Sequence, residues 1–253
     1  MIRDNQFLSY INDVNKEFSG WDFSFITRTG RMRSGLLSWS YGSMAGQLIQ
    51  NVDSMLDMGT GGGEFLSRLR PFPHSVYATE GYKPNFKIAK ENLEPLGVKV
   101  VPFEKDSELP FNDNQFELIL NQHESFSPKE IRRIIQKNGI FLTQQVGGLD
   151  CKEINESFSV SLNIEFKNWN LTTALQELKK NNFEVLYSNE EYPIQRFYDV
   201  GALVYYLKAI PWQVPDFSIE KYEESLYNIH KHIQSKGFFD VKQHRFIIKA
   251  KAI

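Results

Sequence analysis

The sequence predicts an α/β fold: a doubly wound, mostly parallel seven-stranded sheet with helices on both faces, an N-terminal cap and a helical insertion before the last strand. Three observations predict it. Short apolar runs alternate with amphipathic stretches of roughly 10–15 residues, the pattern of successive β-α-β units. Residues 116–120 are almost wholly apolar, as a strand covered on both faces requires. The apolar run 55–58 carries an acid, Asp57, just before a turn with glycines at 59, 61, 62 and 63, a chain reversal whose missing Cβ atoms leave the main chain open to a ligand.

The elements follow in order. Residues 4–18 place Phe7, Leu8, Ile11, Val14 and Phe18 at helical spacing. An irregular aromatic and basic stretch comes next, with Trp21, Phe23, Phe25, Arg28, Arg31, Arg33, Trp39 and Tyr41 among its glycines and serines. Residues 44–49 read as a short helix. Strand one is 53–58, and residues 63–70 read as the first helix, stopped by Pro71. Residues 75–79 form strand two and end at Glu80. A helix from Lys83-Pro84 closes at Gly97, and residues 98–103 form strand three. After strand four, Ser127-Pro128-Lys129-Glu130 is a capping box with proline at the first helical position. Gly139 is expected just past that helix, opening strand five over 139–146. Residues 171–180 are an amphipathic helix, 183–190 strand six and 244–250 strand seven. The expected division is a cap over 1–50, a core of 51–193 plus 238–253, and an insertion over 194–237.

Composition narrows the function. The 253 residues carry a formal charge of −2 and are 41% hydrophobic. That is ample for a core, with no global basic field to advertise a nucleic acid. No apolar run approaches a membrane span. Cys151 is the single cysteine, so neither an internal disulfide nor a cysteine-based metal cluster is expected. No persuasive set of acids suggests a metal. The simplest compartment is the cytoplasm.

The glycine turn implies a nucleotide cradle, and spacing addresses which nucleotide. A dinucleotide fingerprint G-x-G-x-x-G starting at Gly59 needs glycine where Glu64 stands, and starting at Gly61 needs it where Leu66 stands. The pattern here is acid-x-Gly-x-Gly-x-Gly, from Asp57 through Gly63. It resembles the first motif of class I S-adenosylmethionine (SAM) dependent methyltransferases. Asp106-Ser107-Glu108-Leu109-Pro110-Phe111, followed by Asp113-Asn114-Gln115-Phe116-Glu117, is similar to that family's adenine-side block, though one residue shorter before Leu109. Lys137-Asn138-Gly139 resembles the turn that precedes its fifth strand. Trp21-Asp22-Phe23, residues 38–43 and residues 121–126 look like a type 11-like bacterial group.

The resemblance implies a Rossmann-like core binding SAM and releasing S-adenosylhomocysteine. Its implied cofactor residues are Asp57, Gly59, Thr60, Gly61, Gly63, Glu80, Gly81, Asp106, Ser107 and Asn121. Glu80 would take the ribose hydroxyls, and Asp106 with the Ser107 N–H the adenine. In-line methyl transfer asks the protein mainly to align the reactants, with a base only where the acceptor must lose a proton. His123 is the candidate for that; its alternative is to order the loop or hold the cofactor carboxylate.

The acceptor is expected to be a small molecule, in a pocket walled by the aromatic stretch and the insertion. Arg31, Trp39, Tyr41, Tyr198 and Trp212 are the candidate contacts. An RNA acceptor gripped by Arg28, Arg31, Arg33 and the aromatic cap is the alternative, and a non-catalytic SAM-binding protein a third. Asn121-Gln122-His123-Glu124 lacks the paired prolines of amino-methylating nucleic acid enzymes. Cys151 stands where a packing role is expected rather than a nucleophile.

Overall fold

The structure, a computed structural model, describes residues 4–12 and 23–253. Residues 13–18 of the first expected helix and the Trp21-Asp22 pair lie outside them. From the N-terminus come α1 (Asn5–Asn12), α2 (Ser24–Thr27), β1 (Met32–Ser34) and α3 (Tyr41–Ile49). Then follow β2 (Ser54–Met58), β3 (Ser75–Glu80), α4 (Lys83–Leu93), β4 (Lys99–Pro102), β5 (Phe116–Gln122), α5 (Pro128–Ile134) and β6 (Ile135–Val146). The remainder is α6 (Lys152–Phe158), α7 (Leu171–Lys180), β7 (Phe183–Glu191), β8 (Ile194–Phe197), α8 (Val200–Ala209), α9 (Glu223–Lys236), β9 (Phe239–Lys242) and β10 (Arg245–Ala252). Two compact units share the chain. One holds residues 1–37, 147–168 and 191–244; the other holds 38–146, 169–190 and 245–253.

The second unit carries the seven-stranded sheet, in the order β4-β3-β2-β5-β6-β10-β7. Strands β4, β3, β2, β5 and β6 run parallel to their neighbours, and β10 pairs with β6 antiparallel. The apolar runs form strands because helices cover them: Leu56, Phe116, Ile119, Phe141, Phe246 and Ile248 are each fully buried. Complete burial of one such side chain is worth about 1.5–3 kcal/mol. After β2 the chain builds outward through β3 and β4, then returns to β5 on the other side. The order therefore reverses between β2 and β5, and open α/β sheets bind ligands beyond the carboxyl ends of such a pair.

Two local expectations are corrected. The expected first helix over 63–70 is a single 3-10 turn, Leu66–Arg68. Gly63 is left-handed at φ 83°, and Pro71 disfavours helical backbone at the residue before it, so the run is interrupted at both ends. The helix after the capping box is also shorter than the sequence implies. Ser127 Oγ accepts from the Glu130 N–H at 3.4 Å as the box requires, but α5 stops at Ile134 because Ile135 already pairs with Phe116. The register then slips, Leu118 pairing with Ile140. Within the slip Asn138 is left-handed at φ 67°. Gly139 there approaches the Gln136 and Glu117 carbonyls so closely that an added Cβ would lie 3.0 Å from each.

The first unit is built around α8, which buries every residue but Lys208, as a helix hydrophobic on all sides must. Asp199 caps it, accepting from the Ala202 N–H at 2.8 Å. The same carboxylate receives Nε and Nη2 of Arg31 at 2.8 and 2.7 Å. A small antiparallel sheet, β1-β8-β9, belongs to this unit. Arg196 of β8 and Asp240 of β9 join it through two bonds of 2.6 and 2.7 Å. Cys151 is buried here, with Sγ 3.7 Å from the Tyr206 hydroxyl. No helix among the described residues is long and apolar enough to cross a membrane.

Candidate active site

The site begins where β2 ends. The Thr60 N–H donates to the Thr79 carbonyl at 2.9 Å, and the Gly59 N–H to the Thr79 hydroxyl at 3.3 Å. These bonds tie the glycine turn to the end of β3. Gly59 sits at φ 61° and Gly63 at φ 83°, conformations that side chains rarely adopt. An added Cβ at Gly63 would stand 2.6 Å from Cγ of Leu93, a buried residue of α4. At Gly59 the neighbour is Glu124: its Cβ and Cγ lie 2.6 Å from where a Cβ would be, and a carboxylate oxygen is closer still.

Carboxylates crowd this turn. Glu80, ending β3, is 6% exposed, and its Oε1 accepts from the Tyr82 N–H at 2.7 Å. Burial raises its pKa, against the N–H groups of Tyr82, Gly61 and Gly81, which lower it. Asp57 is 5% exposed, and burial pushes it to about 7, with Thr60 acting the other way. Glu124 also rises to about 7, first through burial and then through the charges of Asp106 and Glu80. Asp106 accepts a hydrogen bond from the Ser125 hydroxyl, and Ser107 beside it is exposed. Among the described residues no group of three or more His, Cys, Asp or Glu side chains could hold a metal ion.

Buried polar atoms stand without partners beside them. Asn121, ending in β5 opposite Met58, accepts at Oδ1 from Thr143 Oγ1 at 3.0 Å and Gln145 Nε2 at 2.8 Å. Its Nδ2 has no partner, and neither does the Tyr41 hydroxyl. An unsatisfied buried polar group costs about 1–3 kcal/mol. Burial and the nearby Asp57 charge hold the Tyr41 phenol well above its usual pKa.

The 109–113 segment is clamped by one side chain of α5. Arg133 donates to the Leu109 and Phe111 carbonyls at 3.0 and 2.7 Å and to Asp113 at 2.8 Å. Glu130 binds the same guanidinium and accepts from the Leu109 N–H at 2.7 Å. Glu117 receives the N–H groups of Asp53 and Ser54 at 2.5 and 3.2 Å, so it anchors the start of β2.

His123 is left-handed at φ 68°, and its N–H donates to the Gln144 carbonyl at 2.8 Å. Gln144 Oε1 takes the Trp39 indole N–H at 2.7 Å, leaving the amide NH₂ to face His123 Nε2 at 3.0 Å. That assignment makes Nε2 an acceptor and puts the ring proton on Nδ1. His123 is exposed as a residue, yet the packing around its ring, and then the Arg245 charge, lower its pKa.

Of the expected acceptor contacts, Trp39 and Tyr41 lie in the unit with the glycine turn, while Arg31, Tyr198 and Trp212 lie in the other. Trp39 and Tyr41 are buried; Tyr198 and Trp212 are 36% and 53% exposed. Sequence reasoning had no way to find Glu124 pressed on Gly59, or the Asn121–Thr143–Gln145 network. Each joins residues far apart in sequence, and nothing marks Glu124 apart from its neighbours.

The sheet order, the glycine turn at its reversal and the acid ending β3 define a Rossmann-like fold of the methyltransferase class. Residues 56–143 match the family model described as a methyltransferase domain. Solved structures agree on the fold. A candidate methyltransferase from Bacillus halodurans C-125 superposes with a TM-score of 0.57 at 18% identity, covering 83% of this chain and 98% of its own. A chain of the complex between the Haloferax volcanii Trm112 methyltransferase activator and a candidate methyltransferase matches at 0.52 and 15% identity, covering 100% and 99%. Geranyl diphosphate methyltransferase, solved with its diphosphate substrate and sinefungin, matches at 0.51 and 14% identity, covering 84% and 77%. Comparison with the curated proteins finds no match.

Proposed function

We propose that the protein is a SAM-dependent methyltransferase acting on a small-molecule acceptor. The observation that carries the cofactor is the pairing of Glu80, buried against the glycine turn, with the unpartnered Tyr41 hydroxyl and Asn121 Nδ2. An adenosyl amino acid has partners for all three: ribose hydroxyls for the carboxylate, and carboxylate and ammonium groups for the buried polar atoms. The acids at the turn favour a cationic ligand. Bound SAM supplies an electrophilic methyl on sulfur. The chain's own residues hold and align: Asp57, Gly61 and Asn121 on the amino-acid side, Glu80 and Gly81 at the ribose, Asp106 and Ser107 at the adenine.

His123 orders the loop after β5. Gln144 donates to its Nε2, so the atom that would take a proton is engaged; the expected role as base is the less favoured one. The Arg31 guanidinium is held by Asp199, which supports a small acceptor over an RNA platform. The proposed compartment is the cytoplasm.

Calorimetric titration with SAM and S-adenosylhomocysteine tests the reading, with micromolar binding expected for the unaltered protein. Glu80→Ala should weaken both by about 10–100-fold, the loss of a charge-assisted hydrogen-bonding carboxylate. Unchanged affinity in the variant would overturn the cofactor assignment.

A further inference from the structure

Glu124 belongs to the loop after β5, yet its side chain lies on the glycine turn, directly over Gly59. The groups facing its carboxylate are Glu80 from the end of β3, Asp106 from the loop after β4 and Ser125 from its own loop; the turn presents main chain. The Ser125 hydroxyl donates to Asp106, and Glu80 accepts from Tyr82. Three acids therefore converge, and the charges that act on Glu124 are all negative. Independently, the fully buried Asn121 Nδ2 and the Tyr41 hydroxyl are unpartnered polar atoms at the same end of the sheet.

We propose that Glu124 makes this site read the charge on the cofactor's sulfur, selecting the sulfonium over the neutral thioether left after methyl transfer. The inference rests on the methyltransferase reading and adds to it a determinant of cofactor over product. SAM and S-adenosylhomocysteine share adenine, ribose, ammonium and carboxylate, so hydrogen bonds from Glu80, Asn121 and Tyr41 treat them alike. They differ by one methyl and one positive charge. A cation among mutually repelling carboxylates relieves their repulsion, and in a half-dry site that attraction is far stronger than in bulk water. The thioether offers no such relief. Loss of the sulfur's charge on transfer then weakens the product's hold. The pKa of Glu124, raised to about 7 by burial and by Asp106 and Glu80, places the loss of this selectivity within an accessible pH range.

The experiment compares calorimetric affinities for SAM and S-adenosylhomocysteine between pH 6 and 8, on the unaltered protein and on Glu124→Gln. At pH 8 the unaltered protein should prefer SAM by on the order of tenfold. The preference should shrink towards pH 6 as Glu124 takes a proton. Glu124→Gln should bind both compounds with a small preference that changes less between pH 6 and 8 than that of the unaltered protein, the remaining change coming from Asp57. A preference in Glu124→Gln equal to that of the unaltered protein at pH 8 overturns the inference while leaving the cofactor reading intact. So does a preference in the unaltered protein that ignores pH, a result that needs no variant to fold. Binding of neither compound overturns both.

Discussion

Gly59 and Gly63 share a left-handed backbone but answer to different neighbours, and the difference is measurable. A Cβ at Gly63 meets Leu93, a packed residue of α4, whereas at Gly59 it meets the side chain of Glu124. Gly63→Ala should therefore cost about 1–3 kcal/mol of stability in denaturant unfolding, from strain and overpacking. Gly59→Ala should cost less stability and mainly weaken SAM binding, since it displaces Glu124 and fills the turn. Asp57 gives a pH signature. Its pKa rises from about 3.9 in the unfolded chain to about 7 in the fold, so the folded state holds the proton more tightly. The stability this gives is complete below about pH 4 and is lost as pH rises through 7. Melts at pH 4.5 and 8 should show Asp57→Asn losing less stability than the unaltered protein, by up to about 3 kcal/mol. At this scale the sequence was informative for Asp57, the glycines and Glu80, because a chain reversal at a strand end needs those residue types at fixed spacing. The contacts of Glu124 and Gln144 come from tertiary structure, and no local spacing encodes them.

Among the elements, the strands of the large sheet were readable because burial on both faces demands continuous apolar runs. The small sheet was not. Three-residue β1 buries Met32 alone and exposes Arg33 and Ser34, a pattern shared with countless loops. The end of α5 was misplaced for a related reason: a capping box marks where a helix starts, while its end is set by the pairing of Ile135 with Phe116. Arg133 is the residue by which α5 acts on the site. Arg133→Lys keeps the charge but cannot reproduce contacts to two carbonyls and two carboxylates at once. It should lower stability by about 1–2 kcal/mol and weaken SAM binding several-fold, through a looser 109–113 segment. Equal affinity in the variant would mean that this segment does not touch the cofactor.

For the whole molecule, ligand binding and folding are linked. SAM at a hundred times its dissociation constant should stabilise the protein by about 2.7 kcal/mol. Hydrogen exchange should place new protection at residues 59–63, 80–82 and 121–125, all within the unit that carries the large sheet. Protection confined to the other unit would contradict the proposed site. The position of β10 has a further consequence, for biosynthesis. It lies between β6 and β7 in the sheet, yet residues 147–244 separate it from β6 in the chain. While those residues are being made, the outer edge of β6 has no hydrogen-bonding partner, and an unpaired strand edge invites other chains to bind it. Emerging polypeptide is thus exposed to misassembly for the time a ribosome takes to add nearly a hundred residues. Expression at low temperature or with a holdase chaperone should raise soluble yield more for this protein than for one whose sheet is completed in chain order.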